Sequence, residues 1–124
     1  MLFRVLAGLI GIFDFMNGLS MVLAPLDWFN TTSGVIATGP FNSHLVTDVG
    51  LGYLAGGLAL MAFAVQPSWR LAAFGASAFL SFHGLFHLIH VAGGHGRNWG
   101  TDVAVAIPAL LGIALCWPKR EHAA

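Results

Sequence analysis

Charge is what this sequence has least of. Five basic and five acidic side chains make up 8% of the 124 residues, and the formal net charge is zero. A soluble domain of this length carries roughly thirty charged side chains. So small a supply cannot keep in water a chain that is 57% hydrophobic. The lack of a basic excess excludes a nucleic-acid surface. A single cysteine, Cys116, excludes a disulfide framework and a thiolate zinc site. A phosphate loop and a nucleophile–base–orienter triplet are also missing, so a soluble catalytic role has no support.

What the sequence does have is long apolar runs. They fall at about residues 2–24, 45–65, 71–92 and 102–117. About 20 apolar residues cross a bilayer as a helix. The expected fold is therefore all-α: an integral membrane four-helix bundle, one domain over the whole chain. Asp14 in the middle of the first run, and the length of that run, favour a retained span over a signal peptide. Residues 25–43, rich in Thr, Asn, Gly and Pro, read as a loop. Its Trp28, Phe29 and Phe41 suggest that it lies on the membrane surface. Pro108 inside the fourth run predicts a kink or a re-satisfied backbone.

Basic residues mark the cytoplasmic side. Arg4, Arg70, Lys119 and Arg120 share one side of a four-span protein, and only Arg97 falls on the other. Both termini are then cytoplasmic, in a multi-pass protein of the inner cell membrane. Trp28 and Trp99 flank the outer ends of the spans, and Trp69 and Trp117 the inner ends, as an aromatic belt does.

Helices in lipid pack through small residues. At 100° per residue, Gly11, Asp14 and Gly18 share one face of the first span. On the second, His44, Asp48, Gly52, Ala55, Gly56 and Ala59 share one face, opposite Leu51, Leu54, Leu58 and Met61. On the third, Ala72, Ala76, His83, His87 and His90 form one stripe. Those faces are expected to pack, which turns the polar groups inward and mostly toward the outer half of the bundle.

His83-x3-His87-x2-His90 carries the most information. Neutral imidazole is the commonest transition-metal ligand, and an i, i+4 pair on one helix face can chelate an ion. His44-x3-Asp48 offers the same spacing with a hard oxygen. The expected ligands are thus His44, Asp48, His83, His87 and His90. Asp14, Asn17 and Asp102 would complete a shell, orient a histidine or form a relay. The ion could be a transition metal, or a haem could take His44 and His87 as axial ligands. Each group also has a plainer reading. Asp102 follows Thr101 at a helix start and can cap it. His44 and Asp48 lie near water, where polarity costs little. His95 reads as a solvated loop residue and His122 as part of the basic tail. Asp14 is the hardest to dismiss, since a mid-membrane carboxylate costs roughly 2.5–3.5 kcal/mol on insertion scales. His83 at matching depth is its candidate partner; a protonated Asp14 bonded to Asn17 is the alternative.

The stretch Phe41-Asn42-Ser43-His44-Leu45-Val46-Thr47-Asp48-Val49-Gly50-Leu51-Gly52-Tyr53-Leu54, together with the later His83, His87 and His90, resembles a pattern found in small bacterial four-helix membrane proteins, broadly DoxX-like. The resemblance covers most of the chain in layout. It implies the four-span fold and membrane location, and by analogy with oxidoreductase subunits a redox partnership.

Three functions are consistent with these residues. One is metal or haem binding for redox or metal handling. The second is a proton- or ion-conducting or transporter subunit. The third is a structural accessory subunit of a membrane complex. The partners implied are the lipid bilayer and a second copy or a complex subunit, the Gly52/Gly56 face serving either.

Overall fold

The computed structural model describes residues 1–95 and 99–118. Arg97, Lys119, Arg120 and His122 lie outside the described residues. The described chain is all-α: α1 (Leu2–Leu23), α2 (Pro25–Thr31), α3 (Ser43–Val65), α4 (Arg70–Ala92) and α5 (Trp99–Leu115), with single 3-10 turns at Val35–Thr38 and Pro67–Trp69. The segments holding α1, α3 and α4 are long and apolar enough to cross a membrane, and α5 is a shorter apolar helix. Large apolar side chains such as Leu9, Ile12, Leu51, Leu58, Phe82 and Ile107 are exposed around the bundle. In water such a surface would drive aggregation; in lipid it is the solvated face.

The observed helix ends follow local chemistry. α3 starts two residues before the expected run because the Asn42 side chain caps it, accepting a hydrogen bond from the Leu45 amide at 3.1 Å. Residues 25–43 were expected as loop. They hold the extra helix α2 instead, which Pro25 opens from its first turn. Trp28 and Phe29 on this helix pack into the core cluster with Met21, Val46 and Tyr53. The Trp28 indole donates to Asn17 Oδ1 at 2.9 Å and ties α2 to α1. α5 starts at Trp99, three residues ahead of expectation, and runs on through Pro108.

Glycine decides how the helices meet. α1 packs most extensively on α3, and α4 on α5. A Cβ on Gly57 would lie 2.6 Å from the Gly11 carbonyl oxygen and from the Phe15 amide nitrogen. A Cβ on Gly18 would lie 2.6 Å from the Gly50 carbonyl oxygen. The two backbones therefore touch at Gly11–Gly57 and at Gly18–Gly50, one contact two turns from the other. This corrects the packed face expected on α3. His44, Asp48 and Ala55 are exposed, and the buried line is Val46, Gly50, Tyr53, Gly56, Gly57, Leu60 and Phe63. Gly56 is inside as expected, and with Gly52 it faces α4, where Leu80 and Phe79 fill the space that side chains would need. On α4 the buried line is Ala73, Ser77, Leu80, Ser81 and Gly84, so Ala72 is exposed and the histidines lie beside this line, not on it.

Arginines close one end of the bundle. Arg4 donates to the carbonyls of Ala64 and Val65 at the end of α3. Arg70 donates to those of Leu115 and Trp117 at the end of α5. Last-turn carbonyls have no intrahelical donor, and a cation there also meets the negative helix end. Arg4 and Arg70 thus mark one common end, here called the arginine end. A dry cluster of Ala7, Leu60, Phe63, Ala73 and Cys116 fills the same half.

The glycine contacts make a direct prediction. Gly57→Ala forces backbone apart and should lower stability by about 1–3 kcal/mol, the usual cost of overpacking. Gly75→Ala, where a Cβ meets nothing within 4 Å, should leave stability unchanged or slightly raised. Thermal unfolding of the two variants in one detergent checks the contrast.

Candidate functional site

The other end of the bundle holds the polar groups. α4 carries His83 and His87 one turn apart, so both rings project to the same side. The first turn of α5 brings Asp102 against them. His87 Nδ1 lies 2.6 Å from Asp102 Oδ1, and His87 Nε2 lies 3.3 Å from His83 Nε2. The His87 and Asp102 side chains are 21% and 14% exposed. A carboxylate only accepts, so His87 donates through Nδ1. With one proton on the ring, His87 has a bare Nε2 to accept from His83 Nε2–H. Three side chains form one hydrogen-bonded string, Asp102–His87–His83. Asp102 is therefore inside its helix and joined to a histidine; it is not the cap of that helix.

His83 is held by rings on both sides. Phe79, one turn below, stacks parallel to it at 6.2 Å between centroids, and Tyr53 of α3 meets it edge-on at 6.0 Å. Next to them is Asp14 of α1, 2% exposed. The expected Asp14–His83 bond is not made, and Asp14 Oδ2 is buried without a hydrogen-bond partner. Nor does Asn17 serve it: its Oδ1 accepts from Trp28, and its amide nitrogen lies 3.7 Å from the Met21 sulfur.

Most of these groups, but not Asp102 or Phe79, border one cavity of about 1320 Å³. Asp14, Asn17, Tyr53, His83 and His87 line it, together with Trp28, Phe29 and Phe41. Ala104 lines it too; Pro108 lacks the amide that would bond the Ala104 carbonyl in a regular helix. A second cavity of about 660 Å³ is lined by His87 and Asp102, by Phe86, and by His90 and His95. His83 lines the first cavity, Asp102 the second and His87 both, so the string leads from one to the other.

The five expected ligands do not converge. His44 and Asp48 pair only with each other, at 3.8 Å, and their side chains are 93% and 67% exposed. His44 still lines the first cavity; Asp48 does not. His90 is exposed and tilts against Phe86 and His95, with centroids at 5.5 and 5.4 Å. It lines the second cavity with Thr101 and Asp102, one turn beyond His87, and among the described residues joins neither the string nor a ligand set. His95 joins the second cavity and is not simply solvated. Among the described residues no three His, Cys, Asp or Glu side chains are placed to hold a metal ion together. Sequence reasoning also missed Tyr53 and Trp28 as parts of the site. A lone tyrosine three residues from Gly50 and from Gly56, and a tryptophan eleven after Asn17, give no signal before the helices are paired.

The string fixes tautomers, which nitrogen NMR reads directly. In the wild type, His87 should show a protonated Nδ1 and His83 a protonated Nε2. Asp102→Asn replaces the carboxylate by a group that also donates, so the His87 signals should shift toward the other tautomer or a mixture. Asp102→Ala should cost about 1–3 kcal/mol, because it leaves a half-buried donor unpaired.

Comparison of the chain with family models, with curated proteins and with solved structures finds no match, so the functional reading rests on the chemistry of the site itself.

Proposed function

We propose that the chain is a four-span protein of the bacterial cell membrane, with the arginine end and both termini cytoplasmic, and that it binds a small ligand in the large cavity while exchanging protons with the outer side. The observation that carries this reading is the Asp102–His87–His83 string. It runs from the second cavity to the wall of the first, where Asp14 is buried with an unpartnered oxygen. Ionisable groups inside spans are costly and mark ion or substrate paths. α5, at 17 residues, is about 26 Å long and spans a bilayer core of about 30 Å with slight thinning.

The path is one-sided. Toward the arginine end, Ser81 Oγ donates to the Ala109 carbonyl at 3.0 Å and also lies 3.0 Å from that of Ser77, while Ser77 Oγ is buried without a partner. Below them lies the apolar cluster. This favours a site that trades protons with a bound ligand over a conduit that crosses the membrane, and so a transporter-type or ligand-handling protein over a channel.

A metal reading has one observation in its favour. Two imidazole nitrogens 3.3 Å apart match two ligands of a tetrahedral ion at about 2.0 Å, and Asp102 would then orient His87 as carboxylates orient metal-bound histidines. Such an ion would draw its remaining ligands from solvent or substrate.

Infrared spectroscopy of the reconstituted protein tests the proton route. The Asp14 carboxyl band, identified by its loss in Asp14→Asn, should shift on transfer to D2O. His87→Phe should slow that shift at least tenfold. An equally fast shift would show that the string is not the route. Stoichiometric zinc or copper bound by the wild type and lost in His83→Ala would favour the metal reading instead.

A further inference from the structure

Resting on that reading of the cavity as a ligand site, we propose that its ligand is a lipophilic cation: an amine or onium group joined to an aromatic or bulky apolar body. Asp14 would neutralise the charge, and aromatic walls would hold the body.

Four observations converge. First, Asp14 lines the cavity, is 2% exposed, and its Oδ2 meets no donor. A carboxylate buried in this way needs a proton or a cation beside it. None of the protein's own nearby groups supplies it: the Asn17 amide nitrogen lies by the Met21 sulfur, His83 Nε2 bonds His87, and the Tyr53 hydroxyl makes no bond to Oδ2. Second, the described lining holds no Lys or Arg and one carboxylate, Asp14; its other titratable groups are Tyr53 and three histidines. Once Asp14 gives up its proton, the charge this lining offers a ligand is negative. Third, Phe13, Trp28, Phe29, Phe41 and Tyr53 line the same space. Aromatic faces attract cations, most strongly where water is excluded. Fourth, the volume of about 1320 Å³ exceeds the roughly 300–1,000 Å³ typical of sites for drug-sized molecules. Phe13 lines the cavity and is also 58% exposed on the flank of the bundle. A ligand dissolved in lipid therefore has a side entrance.

The cation and the proton compete for one oxygen. When the cation arrives, a proton on Asp14 departs, and no bond to carbon is made or broken. The His83–His87–Asp102 string offers that proton an exit, which links this site to the route proposed above.

The test uses the whole chain in detergent. Tetraphenylphosphonium serves as the cation, and an uncharged aromatic amphiphile of similar size as its control. Binding is read by isothermal calorimetry and by the fluorescence of Trp28, taken as the signal lost in Trp28→Phe. The expected result is saturable binding of the cation, at least tenfold weaker in Asp14→Asn and retained in Asp14→Glu, with the uncharged control binding at least tenfold more weakly. Circular dichroism confirms that each variant folds. No saturable binding, equal binding by Asp14→Asn, or preference for the uncharged control would overturn the proposal. Two readouts separate the ideas: cation binding by the wild type, and proton exchange in His87→Phe. If the wild type binds the cation but His87→Phe exchanges the Asp14 proton as fast as wild type, the ligand class stands and the proton route falls. If the wild type binds no cation and His87→Phe slows the exchange, the reverse holds.

Discussion

Backbone contact between α1 and α3 sets everything else. Gly11 meets Gly57 and Gly18 meets Gly50 with no room for a methyl group. The two antiparallel helices are thereby locked in register as well as in distance. Asp14 falls midway between the two contacts on α1, and Tyr53 and Leu54 fall midway on α3. A carboxylate that would otherwise face lipid is carried inside and set level with Tyr53. In lipid no hydrophobic force selects a neighbour, so close packing of small residues has to do it. One methyl group at Gly57 would disturb the site as well as the fold.

The second pair, α4 with α5, supplies the other wall. Ser81 and Gly84 seat α5 against α4: Ser81 bonds the Ala109 carbonyl, and Gly84 faces Ala106. That contact brings Asp102 to His87. The candidate site lies on the seam, with Asp14 and Tyr53 on one pair of helices and His83, His87 and Asp102 on the other. α2 and the 3-10 turn cover it. Trp28 anchors the cover to α1 through Asn17, Thr101 anchors it to α5 through the Ser33 carbonyl, and Phe29 against Phe41 closes it at 5.4 Å.

Much of this was written in the sequence, and the parts that were not share one cause. The helices were legible because apolar runs of this length have few other solutions. The inward face of α1 was legible because Gly11, Asp14 and Gly18 lie on a single stripe with no rival. On α3 two small-residue stripes compete, Gly50 with Gly57 and Gly52 with Gly56. Sequence alone cannot rank them, since the choice depends on which glycine finds a partner backbone. Taking the stripe that also held His44 and Asp48 turned the helix too far and drew both into the site. On α4 the periodicity grouped three histidines, and His83 and His87 join the hydrogen-bonded string while His90 stays exposed. Periodicity fixes direction and says nothing about which partner meets each ring.

The division of polarity along the bundle has a mechanical consequence. Polar groups and cavities occupy the half away from the arginines, while Ala7, Leu60, Phe63, Ala73 and Cys116 seal the other. The two arginines tie helix ends across the bundle, Arg4 joining α1 to α3 and Arg70 joining α4 to α5. Both sets of hydrogen bonds run within a pair, and Arg70 also reaches across the seam, its guanidinium 4.8 Å from the Phe63 ring centre on α3. Along the seam the pairs meet through side-chain packing, with Leu80 against Gly56 and Phe79 against Gly52. Flexible apolar ends pressed on glycine can slide or change rotamer, where backbone pressed on backbone cannot. The seam is thus held by side chains where each pair is held by backbone, and Tyr53 and His83, edge to face across it, meet on its softer side.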